Sequence, residues 1–260
     1  MVDHMTTSTD VALRVAEIRA RVRRAAQAVG RDPETVRVIG VTKGVPLSAV
    51  EEAARAGLVE FGENRVQEAT SKMSQAPEGT EPRWVWHLIG RLQTNKVRAA
   101  VGRFELIHSV DSVRLGEAIA AAAEAVGIRQ RVLVQVNVAH EPQKGGVAPA
   151  DLPALLSALA RHAHLRVEGL MTIPPADADP ERARPHFRAL RQLGEKVMGP
   201  WEGGAPVEYS MGMSGDFEVA IEEGATMVRI GTAIFGARTR AGAADQGAQP
   251  ADRAWESRCL

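Results

Sequence analysis

Lys43 is the residue from which a chemical reading can start. It follows a run of β-forming residues over 36–42, Gly44 breaks the run, and Pro46 suits the first turn of a helix through Leu47, Val50, Ala53 and Ala54. The lysine therefore falls at the carboxyl end of a strand, where parallel α/β folds hold their ligands. An amine there, once neutral, attacks an aldehyde to form a Schiff base. A lysine that merely leaves the sheet and meets solvent would leave the same local pattern. A second group of candidates lies late in the chain. Ser214 and Asp216 stand where a helix begins, beside free backbone N–H groups. Arg229 and Gly231 share one strand face by the two-residue period, Gly231 admits a ligand close to the backbone, and Thr232 adds a hydroxyl. Taken singly, these are a helix cap and an ordinary strand end.

The elements that must position these residues alternate. Strands are expected over 36–43, 58–61, 84–89, 106–110, 131–138, 167–173, 207–211 and 227–230, each followed by a helix or helical turn. Before them, Thr9 or Asp10 can cap a helix over 10–30. Its apolar face is Val11, Val15, Ile18, Val22, Ala25 and Val29, and Gly30 ends it. The rhythm is that of an α/β protein, a (β/α)8 TIM barrel with one extra N-terminal helix. A doubly wound sheet would carry a Gly-rich phosphate loop after its first strand, and residues 43–46 are not one. Residues 1–236 then form the barrel domain. Residues 237–260 lack periodicity and read as a poorly ordered tail.

In such a barrel the strand ends carry the chemistry: Lys43, Asn64, His87, Asn137, Met171, Thr172, Ser210 and Arg229 to Thr232. The loops after strands seven and eight are the usual phosphate corner. A phosphate corner opposite a lysine suits an aldehyde phosphate. Pyridoxal 5′-phosphate (PLP) fits, with its phosphate at those loops, its aldehyde on Lys43 and its ring between.

Composition narrows the classes. The chain has 260 residues, with 32 Lys+Arg against 32 Asp+Glu. A net charge of zero and 4% aromatic residues argue against a nucleic-acid surface. Arg14, Arg19, Arg21, Arg23 and Arg24 on the first helix then read as a solvated face. The single cysteine, Cys259, excludes an internal disulfide and a thiolate metal cluster, and no metal site is expected. No apolar run approaches ~20 residues, so no membrane span is expected. The polar stretch 1–10 lacks the apolar region of a signal peptide, which makes cytoplasm the default. Lysines are few beside arginine, at 43, 72, 96, 144 and 196.

Several segments also resemble a known family. They are 41–43 (Val-Thr-Lys), 61–64 (Phe-Gly-Glu-Asn), 86–90 (Trp-His-Leu-Ile-Gly), 92–96 (Leu-Gln-Thr-Asn-Lys), 135–137 (Gln-Val-Asn), 169–171 (Gly-Leu-Met), 210–214 (Ser-Met-Gly-Met-Ser) and 229–236 (Arg-Ile-Gly-Thr-Ala-Ile-Phe-Gly). In this order the chain resembles the YggS/PROSC family of PLP-homeostasis proteins, built on the barrel of the alanine racemase N-terminal domain. The resemblance implies that Lys43 carries PLP as a Schiff base. It implies that Ser214, Gly231 and Thr232 hold the phosphate and that Arg229 faces the pyridine nitrogen. Asn64, His87, Met171 and Ser210 match motif positions near the cofactor. Lys144 matches a lysine that could capture a second PLP, although an exposed loop lysine is the better reading. The resemblance also implies a monomer without turnover of its own, with PLP-dependent apoenzymes as candidate recipients.

A weak PLP-dependent racemase or lyase is the alternative. A racemase needs acid and base groups on both faces of the substrate carbon. Alanine racemase takes its second base, a tyrosine, from a C-terminal β-domain. Here the only tyrosine is Tyr209, within strand seven, and His87 is the one substitute base nearby. A Schiff-base sugar-phosphate lyase is a more distant reading, which leaves Arg229 without a role.

Overall fold

A computed structural model describes residues 8–75, 83–141, 145–198 and 206–236. The loop over 76–82, Lys144 and the 237–260 tail lie outside the described residues. Eight parallel strands close into a barrel in sequence order, β1 (Arg37–Val41), β2 (Glu60–Glu63), β3 (Val85–Leu88), β4 (Leu106–Val110), β5 (Gln130–Gln135), β6 (Leu165–Met171), β7 (Glu208–Met213) and β8 (Met227–Ile230). The helices outside them are α1 (Ser8–Ala28), α2 (Leu47–Arg55), α3 (Val66–Gln75), α4 (Val97–Ala100), α5 (Val113–Ala125), α6 (Leu152–Leu159), α7 (Arg184–Val197), α8 (Phe217–Glu222) and α9 (Thr232–Phe235). None is long and apolar enough to cross a membrane, among the described residues.

The expected barrel is present, with its edges redrawn. β4 and β8 fall at their expected bounds. β2 begins two residues late because Leu58 packs into the outer core, while Glu63 continues the strand as a buried charge. Pro46 precedes α2 as its cap residue, where it needs no N–H. α1 begins at Ser8, so Asp10 is not its cap but pairs with Arg14 one turn on. Val29 lies past the end of α1 and is exposed, unlike the buried Val11, Val15, Ile18, Val22 and Ala25. The arginine face is not simply solvated. Arg21 grips Glu218 of α8 in a two-pronged pair and stacks over Phe217, and Arg19 donates to the carbonyls of Ala56 and Gly57. Both arginines dock α1 onto the barrel.

Two cores result. Helices and outward strand faces share one large apolar core. The barrel lumen holds a separate cluster of Ile39, Leu106, Leu133, Met171 and Met227. Met171 is thus packing inside the lumen, beneath the site. A line of polar side chains threads the barrel beside that cluster. Glu60 Oε2 lies 3.0 Å from His87 Nε2, His87 Nδ1 lies 3.0 Å from His108 Nε2, and His108 Nδ1 lies 2.9 Å from Ser210 Oγ. His87, His108 and Ser210 are fully buried. Burial, then the neighbouring His87, Arg229 and Arg37, hold the His108 imidazole well below its ordinary value of 6.5.

The sign of the resulting pH dependence follows. As pH falls below 6.5 the unfolded chain protonates at His108 while the folded one does not, so acid favours unfolding. The limiting slope is ~1.4 kcal/mol per pH unit for one such residue. Urea midpoints measured from neutral pH down to about pH 5 should fall for the native chain. The His108→Asn variant should lack this increment, although Glu63 and Asp216, whose carboxyls burial pushes up, continue to act with the opposite sign.

Candidate functional site

The carboxyl ends of the strands surround one cavity of about 430 Å³, within the ~300–1,000 Å³ usual for small-ligand sites. Lys43, Asn64, Arg229, Gly231 and Thr232 line it, as do Gly90, Arg91, Gln135, Ile173 and Phe235. β1 ends at Val41, so Lys43 rises from a turn, and that turn is tied down from below. Lys72 of α3 is buried and donates to Thr42 O at 2.6 Å, Glu63 Oε1 at 2.5 Å and Glu68 Oε1 at 3.0 Å. Thr42 Oγ1 donates to the same Glu63 oxygen at 2.6 Å, and Gly44 N donates to Glu68 at 2.6 Å. The residues on either side of Lys43 are therefore pinned to β2 and α3. Burial pushes the Glu63 carboxyl up, and its Lys72 and Thr42 donors pull it back only in part.

Asn64 reaches the cavity because β2 runs to Glu63. The end of β3 passes so close that a Cβ on Gly90 would meet Asn64 O at 2.3 Å, so only glycine fits there. Opposite, β7 turns at Gly212, with φ of 90°, and Asp216 Oδ1 accepts from Met213 N at 2.6 Å. Ser214 Oγ then accepts from Gly231 N at 3.2 Å and Ala233 N at 3.4 Å. Ser214 thus fastens the strand-seven loop to the start of α9 rather than lining the cavity wall itself.

Arg229 is 3% exposed. It donates to Ser210 Oγ at 2.7 Å and Thr172 O at 2.9 Å. No carboxylate bonds it, and burial pushes it down to about 10, Asp216 opposing from a distance. Ser210 is therefore the seat of Arg229 and does not itself line the cavity. His87 lies deeper in the lumen between Glu60 and His108 and is not among the residues that line the cavity. Asn137 closes its own loop through Glu141 N and O. Tyr209 points outward, donating to Arg191 O at 3.2 Å, and burial pushes its phenol up to about 12.

The side chains that sequence reading passed over, and that the structure packs beneath the cavity-lining residues, are Lys72, Glu63, Glu68 and His108. Two signals pointed at the first: a lysine in a chain that prefers arginine, and a glutamate four residues before it. His108 gave none, since one histidine inside an apolar strand reads as filler.

The alanine racemase, N-terminal domain, model matches residues 13–239. Pyridoxal phosphate homeostasis proteins from Aquifex aeolicus and Pseudomonas aeruginosa are 44% and 45% identical to this chain over 86% and 88% of it, and over 97% and 96% of their own lengths. A solved structure of PipY from Synechococcus elongatus with PLP bound is 36% identical, with a TM-score of 0.73, covering 87% of this chain and all of that one. An alanine racemase from Clostridium difficile, at 12% identity and a TM-score of 0.66, shares the fold across 88% of this chain and 57% of its own. The chain accordingly belongs to the alanine racemase N-terminal domain family and, within it, to the pyridoxal phosphate homeostasis proteins.

Proposed function

We propose that this chain binds PLP at the mouth of its barrel, holds the aldehyde on Lys43, and serves PLP homeostasis as a carrier rather than by turnover of its own. The observation that carries the reading is the joint lining of one cavity by Lys43, Arg229 and the Gly231–Thr232 backbone. The residues suit the group. Lys43 supplies the amine. Gly231 and Thr232 open the α9 terminus to a phosphate, with the Ser214 hydroxyl beside it. Arg229 presents a cation to the ring nitrogen. The relatives named for PLP homeostasis and the PLP-bound PipY support the same ligand. Bound PLP would supply an electron sink.

Against turnover stands what this chain places around that sink. A fixed cation at the pyridine nitrogen disfavours ring protonation and weakens the sink. Tyr209 faces α7 and His87 lies in the lumen, so neither stands opposite Lys43 as a second base. Apoenzymes that require PLP are the candidate recipients.

Two outcomes test the reading. Titrated with PLP and followed by absorbance, the native chain should bind, and Lys43→Ala should bind about 100-fold more weakly, equivalent to ~2.7 kcal/mol. Equal affinity in the two would remove Lys43 from the site. Alanine enantiomers should not interconvert above the rate of free PLP. Lys72→Met should strip the buried Glu63 carboxyl of its cation and leave it only the Thr42 hydroxyl, at a cost of ~3–5 kcal/mol, and weaken PLP binding with Lys43 intact. Adding Glu63→Gln should recover part of the stability in urea unfolding but not the affinity, because Thr42 O stays untied.

A further inference from the structure

A line of polar groups threads the lumen beside its apolar cluster, and that line ends on a cavity-lining residue. Arg229 lines the cavity and donates to Ser210, Ser210 meets His108, His108 meets His87, and His87 meets Glu60. Filling the same space with aliphatic side chains would cost less desolvation.

The donors fix a direction. Arginine only donates, so Ser210 Oγ accepts from Arg229. Ser210 has one proton of its own, and in its buried site the acceptor in reach is His108 Nδ1 at 2.9 Å. His108 then carries its proton on Nε2 and gives it to His87 Nδ1 at 3.0 Å. Beyond it, His87 Nε2 lies 3.0 Å from Glu60 Oε2, within ion-pair distance but outside hydrogen-bond geometry, so the hydrogen-bonded line ends at His87 and the carboxylate stands behind it. The opposite polarity would leave the Ser210 proton without an acceptor. It would also set a bare His87 Nε2 lone pair against the Glu60 carboxylate, 3.0 Å away. The charged groups around the line agree with the first polarity. Glu60 already has Arg37 at 3.9 Å and the field of Arg131, and Arg37 also pairs with Glu208 at 2.9 Å. Burial works to raise Glu60, yet His87, Arg37 and Arg131 together bring it below its ordinary value, so the carboxylate stands behind the line as an anion. His108, between His87 and Arg229, stays neutral.

We propose that His108 is a positioning residue for Arg229: through a hydrogen-bond line directed toward Glu60, it holds Ser210 as an acceptor and so fixes which edge of the guanidinium faces the cavity. The line stands on this chain's own geometry, and its effect on ligand binding rests on the PLP reading above.

Nitrogen-15 NMR of the histidine rings in the protein without added PLP reads the line directly. The His108 signal should show a bare Nδ1 and a protonated Nε2, and remain neutral from about pH 6 to 8. A proton on Nδ1 would overturn the proposal. Two variants then read its purpose. His108→Asn keeps an acceptor oxygen where Nδ1 stood, and His108→Phe keeps the volume without the acceptor. PLP affinity should stay within about threefold in the first and fall at least about tenfold in the second. A packing role predicts the reverse order, and that order, or equal loss in both, would also overturn the proposal. If His108→Phe fails to fold, the tautomer alone decides. If the native chain does not bind PLP, the functional reading fails while the tautomer still reports on the line.

Discussion

A guanidinium buried among strands, with no carboxylate bonded to it, is costly to hold. Arg229 is in that position. Its bonds go to a hydroxyl and a backbone carbonyl, each a dipole rather than a charge. Much of the barrel can be understood as the means of keeping it there. β7 supplies Ser210, the turn after it supplies Asp216, Thr172 just past β6 supplies its carbonyl, and the lumen supplies the histidine pair behind Ser210. What remains of the guanidinium faces a cavity that holds no anionic side chain among its lining residues. A ligand acceptor there would gain a charge-assisted hydrogen bond in a medium of low dielectric.

Lys43 is the opposite case. The residue is half-buried rather than enclosed, and what is fixed is the backbone on either side of it. Lys72 spends its three donors on Thr42, Glu63 and Glu68, and Glu68 holds the N–H of Gly44. One buried lysine thereby tethers both neighbours of another. The arrangement fixes the origin of the Lys43 side chain on both sides. In the function proposed above, that is the group that takes up the aldehyde and gives it back.

The alternation of elements was legible because each apolar run carried its own period, and β4 and β8 read cleanly because both are buried along their full length. Lys43, Asn64, Arg229, Gly231 and Thr232 were legible as strand-end residues, and they do meet at one cavity. Less legible were polar residues used inside the barrel. Glu63 read as the turn after a strand and is a buried strand residue, because Lys72 pairs with it and the Thr42 hydroxyl donates to it. His87 read as a strand-end group and lies in the lumen, because its partners, Glu60 and His108, come from separate strands that pattern alone cannot bring together. Ser210 and Ser214 were placed in the right corner with different tasks, one seating Arg229 and one fastening α9. The arginines of α1 read as solvated because helical periodicity says nothing about a second element packed across that face.

The central claim is that one amine among five lysines takes the aldehyde. Borohydride reduction of the protein with PLP, followed by peptide mass analysis, tests it most directly. The account predicts a stoichiometric phosphopyridoxyl label on the peptide that contains Lys43, with Lys72 unlabelled in its buried network. A label confined to other lysines, or none on a protein shown to be folded, would contradict it.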